Sequence, residues 1–262
     1  MVHVMTLGVF AIRCDQKKMP IRLGREANNL AAYLFSHPGA LFRRERLLEM
    51  FWGDLTENRA RKAMSNALWQ IRRQMEIEET TTCGTQLDCD STHLSLRLGT
   101  DDFVDYQAFS DGITHALDAK DEGQVLDELD HALRLYRGDF LEHLSEAWAV
   151  ERRERLQALF VRGMAIKIGA LARKRKFEEA IECARSVLVV DPLRETMQRK
   201  LMRLHVLSGN RALAIKQYLS CADGLRREYE IEPMPATRAL FERIRNGDVF
   251  SALDDEHRRV MS

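Results

Sequence analysis

The sequence has little of what defines fibrous, secreted or membrane-spanning proteins. Five prolines and fourteen glycines among 262 residues exclude collagen-like and low-complexity architectures. No run approaches the ~20 consecutive apolar residues that a transmembrane helix needs, so we expect no membrane span. The first ten residues, MVHVMTLGVF, lack the basic region and the cleavage site of a signal peptide.

Cysteine is scarce and irregularly placed. The five cysteines are Cys14, Cys83, Cys89, Cys183 and Cys221. An odd, scattered set is typical of a reduced cytoplasmic protein rather than of a disulfide framework. His93 lies near two of them and raises the question of a metal site. The spacing is not CxxC and the local pattern points Cys89 inward, so structural cysteines are favoured and no metal is predicted.

An excess of either charge is also missing, because 40 Lys and Arg balance 40 Asp and Glu. This balance does not hold in every part of the chain, because residues 41–75 contain eight basic and four acidic residues. A basic concentration around one amphipathic helix indicates a polyanionic partner, while an ordinary solvated face is the alternative.

The first hundred residues combine short extended segments with three helical ones. Residues 2–12 have the imperfect apolar alternation of strands. Helices are predicted over residues 25–36, 43–52 and 58–75, the last with Asn58 as its N-cap. The segment TQLDCDSTHLSLRLG at 85–99 alternates about a DST turn and predicts a β-hairpin. Together these elements are the winged-helix arrangement, in which the third helix enters the major groove of DNA.

The third helix has one apolar face and one polar face without acidic residues. Six residues at the helical period form the apolar stripe: Ala60, Met64, Ala67, Leu68, Ile71 and Met75. The opposite face carries Arg59, Lys62, Ser65, Asn66, Trp69 and Arg73. Solvated helix faces are usually mixed in sign, so this face is predicted to contact DNA.

The predicted DNA-binding residues fall into three groups. Phosphate pairing, with release of condensed counterions, is predicted for Arg59, Lys62 and Arg73. Contacts to base edges are predicted for Ser65, Asn66 and Trp69, since asparagine reads adenine and tryptophan can pack on a thymine methyl or a sugar. Arginines at the start of the second helix either clamp the DNA backbone or are solvated caps: Arg43, Arg44 and Arg46.

The second half of the chain has a helical pattern from about Phe103 onward. The pair Ala180-Ile181 recurs as Ala214-Ile215 after 34 residues, which is the tetratricopeptide period. Pro192 and Pro233 stand where such repeats end their second helix. They are 41 residues apart, so the second repeat is predicted to have the longer closing helix. Five aromatic residues have core spacing and are read as core rather than as a ligand site: Tyr136, Phe140, Trp148, Phe177 and Tyr218.

No motif in the chain carries catalytic chemistry. The segment LGREANN lacks the glycines of a phosphate-binding loop, and no nucleophile elbow occurs. We therefore expect neither an enzyme nor a bound cofactor.

With both halves placed, the sequence resembles the Streptomyces-antibiotic-regulatory-protein (SARP) type of transcriptional activator. In the first half the resemblance is carried by LGREANNLAAYL at 23–34, RRERLLEMFWGD at 43–54, NALWQIRRQM at 66–75 and DDFVDYQAF at 101–109. In the second half it is carried by ALRLYRGDFLEHL at 132–144, WAVERRERL at 148–156 and DPLRETMQRKLMRLHVLSGNRALAIKQY at 191–218. Two departures concern the interface: STHLSL replaces the aromatic-Gly turn of the wing, and Trp69 stands where Arg or another polar residue is more frequent.

The resemblance implies a mainly α protein with a small N-terminal sheet. It implies an OmpR/PhoB-like winged helix with its wing hairpin at 1–100 and a tetratricopeptide-like bacterial transcriptional activator domain at 101–246. The polar residues 247–262 are expected to form a mobile tail. The implied function is a cytoplasmic activator that binds promoter direct repeats in double-stranded DNA as a homodimer. Its helical domain is implied to contact RNA polymerase or a second copy of itself. The alternative is a tetratricopeptide adaptor whose winged helix no longer binds DNA.

Overall fold

The computed structural model describes residues 1–14, 22–75, 85–118 and 122–248. The chain divides into two compact units, which are described separately below: residues 1–117 with 130–159, and residues 118–129 with 160–262. Cys83 and the tail beyond Asp248 lie outside the described residues, as do the side chains of Cys14 and Met75. The predicted domain limits at 100 and 246 remain predictions.

Six short strands of the first unit form two sheets. The strands are β1 (Val2–Met5), β2 (Ala11–Cys14), β3 (Phe42–Arg43), β4 (Gln86–Cys89), β5 (His93–Arg97) and β6 (Phe103–Val104). One sheet has the order β2-β1-β6, and the other has the order β3-β5-β4. The pairs β1–β2, β3–β5 and β4–β5 are antiparallel, whereas β1 and β6 are parallel. The predicted hairpin is confirmed as β4–β5, with Cys89 opposite Leu94.

Three helices of the same unit pack between and against these strands. They are α1 (Arg25–Phe35), α2 (Arg44–Trp52) and α3 (Glu57–Met75). Their apolar faces share one core with β1, β5 and β6, because an amphipathic helix gains most of its stability by burying its apolar stripe. The prediction that Asn58 caps α3 is wrong, since the helix already begins at Glu57. Five residues of the predicted stripe are confirmed as buried: Ala60, Met64, Ala67, Leu68 and Ile71.

The core of the winged helix continues into the residues that follow it. The chain proceeds through α4 (Asp105–Asp118), α5 (Glu122–Leu133) and α6 (Ala147–Arg173). The buried Asp105 carboxylate accepts hydrogen bonds from the Thr6 amide at 2.8 Å, the Thr6 hydroxyl at 2.7 Å and the Leu7 amide at 3.0 Å. Burial outweighs these bonds and raises the pKa of Asp105. This carboxylate fastens the N-terminal strand to the start of α4.

A second junction lies at the end of α1, around the Ser36 carbonyl. This oxygen accepts hydrogen bonds from the Tyr106 hydroxyl at 2.9 Å and from the Arg152 guanidinium. A cation there also complements the negative end of the α1 dipole. The Trp148 ring packs edge-on against Tyr33 with the ring centroids 4.9 Å apart. Residues beyond 100 therefore complete the core of the first unit.

The second unit contains the predicted helical repeat. Its helices are the end of α6, α7 (Phe177–Val190), α8 (Glu195–Leu207), α9 (Arg211–Tyr229) and α10 (Pro235–Asn246). Ala180 in α7 and Ala214 in α9 are completely buried, as their matching repeat positions predicted. The α9 helix has 19 residues against 14 for α7, which confirms the longer second closing helix.

The last helix of the second unit is held at both ends by charged side chains of its neighbours. At the α10 N-terminus, the Glu195 carboxylate accepts the Met234 amide at 2.8 Å. At its C-terminus, Arg211 Nε donates to the Ile244 carbonyl at 2.8 Å. Both charges complement the helix dipole. The rings of Tyr218 in α9 and Phe241 in α10 are stacked, with their centroids 3.9 Å apart.

The mainly α fold class, with an N-terminal winged helix and a helical repeat region, is confirmed. The five aromatic residues that were predicted to belong to the core are buried or half-buried; Phe140 is completely buried. No helix in the described part of the chain is long and apolar enough to span a membrane.

Candidate nucleic-acid interface

The face of α3 opposite its buried stripe is exposed throughout. Each side chain that the sequence placed there is exposed: Arg59, Lys62, Ser65, Asn66, Trp69 and Arg73. Between Asn58 and Arg73 the helix contains no acidic residue. The packing of α3 on α1 and α2 fixes which side turns outward, so the basic and polar side chains share one surface.

Trp69 is the unusual residue of this surface, because 57% of a large apolar side chain is exposed. The Arg73 guanidinium lies over its ring, 5.0 Å from the centroid, at cation–π distance. The pair holds a flat apolar surface beside a positive charge. That combination suits a sugar, a thymine methyl or an unstacked base next to a phosphate.

Of the three predicted arginines at the start of α2, Arg46 is exposed, and Arg43 and Arg44 differ in their surroundings. Arg43 is exposed at the N-cap position of the helix. Arg44 is half-buried, and its Nη1 lies 2.6 Å from Cys89 Sγ and donates to the Asp90 carbonyl at 3.2 Å. Its main-chain amide also donates to the Thr92 carbonyl at 2.9 Å. Arg44 thus ties α2 to the β4–β5 hairpin in addition to facing the groove described next.

A groove of about 620 Å³ separates α3 from the turn of the hairpin, which we call the wing groove. Its lining includes the predicted residues Arg43, Arg44 and Ser65. It also includes residues that the sequence analysis did not predict to contact DNA: Glu45, Leu48, Arg61, Ser91, Thr92 and His93. Three arginines with several hydroxyl groups form a surface that can bind phosphate oxygens.

Arg61 was missed because it lies at the edge of the polar face, one turn before Ser65. Its guanidinium pairs with the exposed Glu57 carboxylate at 2.6 Å, and the Ser65 hydroxyl donates to its carbonyl at 2.9 Å. A search for polar pairs spaced four residues apart would have found it. An exposed ion pair of this kind contributes little to stability, so the guanidinium can exchange its partner for a phosphate at small cost.

The wing turn is held by Asp90 rather than by a glycine. Its Oδ1 accepts hydrogen bonds from the Thr92 amide at 2.6 Å, the Thr92 hydroxyl at 2.9 Å and the His93 amide at 2.6 Å. The Thr92 amide is the largest of the causes that lower the pKa of Asp90. This side-chain turn takes the place of the aromatic-Gly turn of the family. The wing is therefore ordered although its sequence departs from the usual pattern.

Cys89 and His93, for which the sequence raised the question of a metal site, both lie on this hairpin. Among residues 1–14, 22–75, 85–118 and 122–248, no group of three or more His, Cys, Asp or Glu side chains is arranged to hold a metal ion. Cys89 instead contacts Arg44.

Three comparisons relate the chain to known proteins. The family model of the bacterial transcriptional activator domain matches residues 102–245. The transcriptional regulatory protein MoaR1 of Mycobacterium tuberculosis is 23% identical over 255 residues, covering 93% of this chain and 79% of MoaR1. The MoaR1 protein of Mycobacterium bovis matches with the same identity and coverage.

Among solved structures, the fold is similar to that of Mycobacterium tuberculosis EmbR in complex with a low-affinity phosphopeptide. The TM-score is 0.70 at 19% identity, and the likeness covers 99% of this chain and 70% of EmbR. The structural likeness covers both the winged helix and the helical region. With the match over residues 102–245, more than half of its length, the chain belongs to the bacterial transcriptional activator domain family and is a transcription regulator of the SARP type.

Proposed function

We propose that the protein is a cytoplasmic transcriptional activator that binds promoter DNA through α3 and the wing. The observation that carries this proposal is the exposed, acid-free face of α3 beside the arginine-lined wing groove. In this assignment α3 lies in the major groove, and the wing groove receives the DNA backbone. Residues 1–100 form the DNA-binding domain, residues 101–246 form the activator domain, and residues 247–262 form the tail.

Within the proposed interface, the side chains divide by chemistry. Arg59, Lys62 and Arg73 neutralise phosphates, which supplies affinity without sequence preference. Ser65, Asn66 and Trp69 are the candidates for base contacts. In the wing groove, Arg43, Arg44 and Arg61 add three positive charges for the backbone.

The proposal includes two partners besides DNA. Two copies bind tandem direct repeats in the promoter, since linking two weak sites raises the avidity without a new DNA contact. The helical repeats contact RNA polymerase, because packed helical pairs present an extended protein-binding surface. A direct-repeat duplex should accordingly bind two copies of the full chain in sedimentation experiments.

The test of DNA binding is its dependence on salt. We expect the affinity of the full chain for a random-sequence duplex to fall linearly on a logarithmic plot as the salt concentration increases, because each neutralised phosphate releases counterions. A tetratricopeptide adaptor that no longer binds DNA would show no saturable binding at low salt. That result would overturn the proposal in favour of the adaptor.

A further inference from the structure

The loop between α9 and α10 exposes three large apolar side chains within six residues. Tyr229 is 63% exposed, Ile231 is 51% exposed and Met234 is 57% exposed. Single exposed apolar residues are common on protein surfaces. A cluster of three on one short loop is different, because contiguous exposed apolar surface marks sites of interaction.

This loop is braced on both sides. The Glu195 carboxylate of α8 accepts the Met234 amide at 2.8 Å, and Arg226 of α9 pairs with Glu232 at 2.9 Å. Pro233 is buried between them, and Pro235 begins α10. The exposed apolar side chains therefore stand on a backbone that is already ordered. A preorganised loop loses less conformational entropy when it binds a partner.

The turn that starts the loop is made by a glutamate. Glu230 adopts a φ of +58° at the end of α9. At two other helix ends of the second unit the residue with positive φ is a glycine, Gly209 or Gly247, because glycine adopts positive φ without steric cost; after α6 it is Arg175, with a φ of +57°. At the end of α9 this position instead carries the exposed Glu230 carboxylate. Glu230 stands between Tyr229 and Ile231, while the charge of Glu232 is paired with Arg226, so the loop presents its apolar groups beside the Glu230 carboxylate.

We propose that the loop Tyr229–Met234 is a docking site that inserts into an apolar cleft of a protein partner rimmed by lysine or arginine side chains. Charge indicates the kind of partner. A carboxylate on the loop repels DNA phosphates and anionic membrane surfaces, whereas basic side chains of a protein partner attract it. The inference rests on the proposed function, in which the helical repeats contact RNA polymerase, and it assigns that contact to one loop.

The first experiment measures the affinity of the full chain, bound to promoter DNA, for purified RNA polymerase holoenzyme of the source bacterium. The test variant replaces Tyr229, Ile231 and Met234 by serine. The matched control replaces Leu213 and Leu219 by serine, since these α9 side chains are also exposed, at 42% and 56%. We expect the test variant to lose at least about tenfold in polymerase affinity, as for anchor residues of an interface, with DNA affinity unchanged. The control should retain both affinities.

The charge part of the inference has its own variant. Glu230→Lys reverses the exposed carboxylate, and we expect it to weaken polymerase binding further than Glu230→Gln does. A photo-crosslinking amino acid at position 231 should react with polymerase, and the same group at position 219 should not.

The possible outcomes separate the loop from the proposed function. Unchanged polymerase affinity in the serine variant, or an equal loss in the control, would overturn the docking site while leaving the proposed function in place. A crosslink from position 231 to a second copy of the chain, instead of to polymerase, would overturn the proposed partner of the loop. Failure of the unaltered chain to bind polymerase, with DNA binding intact, would overturn the polymerase contact and the loop assignment together.

Discussion

At the residue scale, Asn66 is the side chain on which sequence preference is expected to depend. It is exposed at the middle of the acid-free face of α3, and its amide can both donate to and accept from an adenine edge. The neighbouring Lys62 offers only a positive charge, and the phosphates that attract it are the same in every DNA sequence. We therefore expect the two residues to contribute differently to DNA recognition, although they lie on the same face.

We expect Asn66→Ala to change the preferred base at one position of the site. Loss of a good two-point contact should reduce discrimination there by about 1–3 kcal/mol. Selection of bound fragments from a random duplex pool measures this change, and Lys62→Ala provides the comparison because it should preserve the selected sequence. An identical selected sequence for Asn66→Ala and the unaltered chain would exclude Asn66 from base reading.

Asp90 is the second informative residue, because one carboxylate oxygen holds the whole wing turn. We expect Asp90→Ala to weaken DNA binding and to speed amide exchange at Thr92 and His93. Asp90→Asn keeps an oxygen acceptor and removes a negative charge, so its DNA affinity should equal or exceed that of the unaltered chain. Weak binding by both variants would show that the charge of Asp90, rather than the turn, matters.

At the element scale, the helices were predictable and their distant contacts were not. The 3.6-residue period identified the buried stripe of α3, and the 34-residue recurrence identified α7 and α9, because both signals are local in the sequence. The parallel pairing of β1 with β6 joins segments about a hundred residues apart and has no local signature. The wing groove was missed for the same reason, since it exists only after α3 and the hairpin are brought together.

The repeat register makes a prediction for α7. Ala180→Trp should destabilise the helical repeats by typically ~1–3 kcal/mol, because a large side chain overpacks a completely buried position. The matched control is Val189→Trp in the same helix, where the native side chain is 81% exposed and the change should stay within about 0.5 kcal/mol. Urea denaturation of both variants gives the comparison. Equal stability of the two would show that the register is wrong.

At the scale of the whole molecule, the winged helix shares its core with residues that the sequence assigned to the next domain. Phe103 and Val104 extend the N-terminal sheet, and Asp105 fastens Thr6 and Leu7. The family model begins at residue 102, near the predicted boundary at residue 100, which stays a prediction. As a folding unit, however, the winged helix depends on segments beyond residue 100.

This dependence predicts the effect of Asp105→Ala. The substitution leaves the Thr6 and Leu7 amides and the Thr6 hydroxyl without their acceptor, and each buried unsatisfied group costs about 1–3 kcal/mol. We expect the first unit to lose at least about 2 kcal/mol of unfolding free energy and DNA affinity to fall with it. Asp101→Ala removes an exposed carboxylate four residues earlier and should change neither quantity. Unaltered stability of Asp105→Ala would mean that the first unit does not need this junction.

The measurement that tests the central claim most directly is the salt slope of DNA binding for single-charge variants of the full chain. If α3 neutralises phosphates, Lys62→Ala and Arg73→Ala should each reduce the slope of log Kobs against log salt by about one unit. Arg162→Ala removes a charge that is also exposed, from α6, and should leave the slope unchanged. Slopes for Lys62→Ala and Arg73→Ala that match the unaltered chain would contradict the assignment of α3 as the DNA-binding surface.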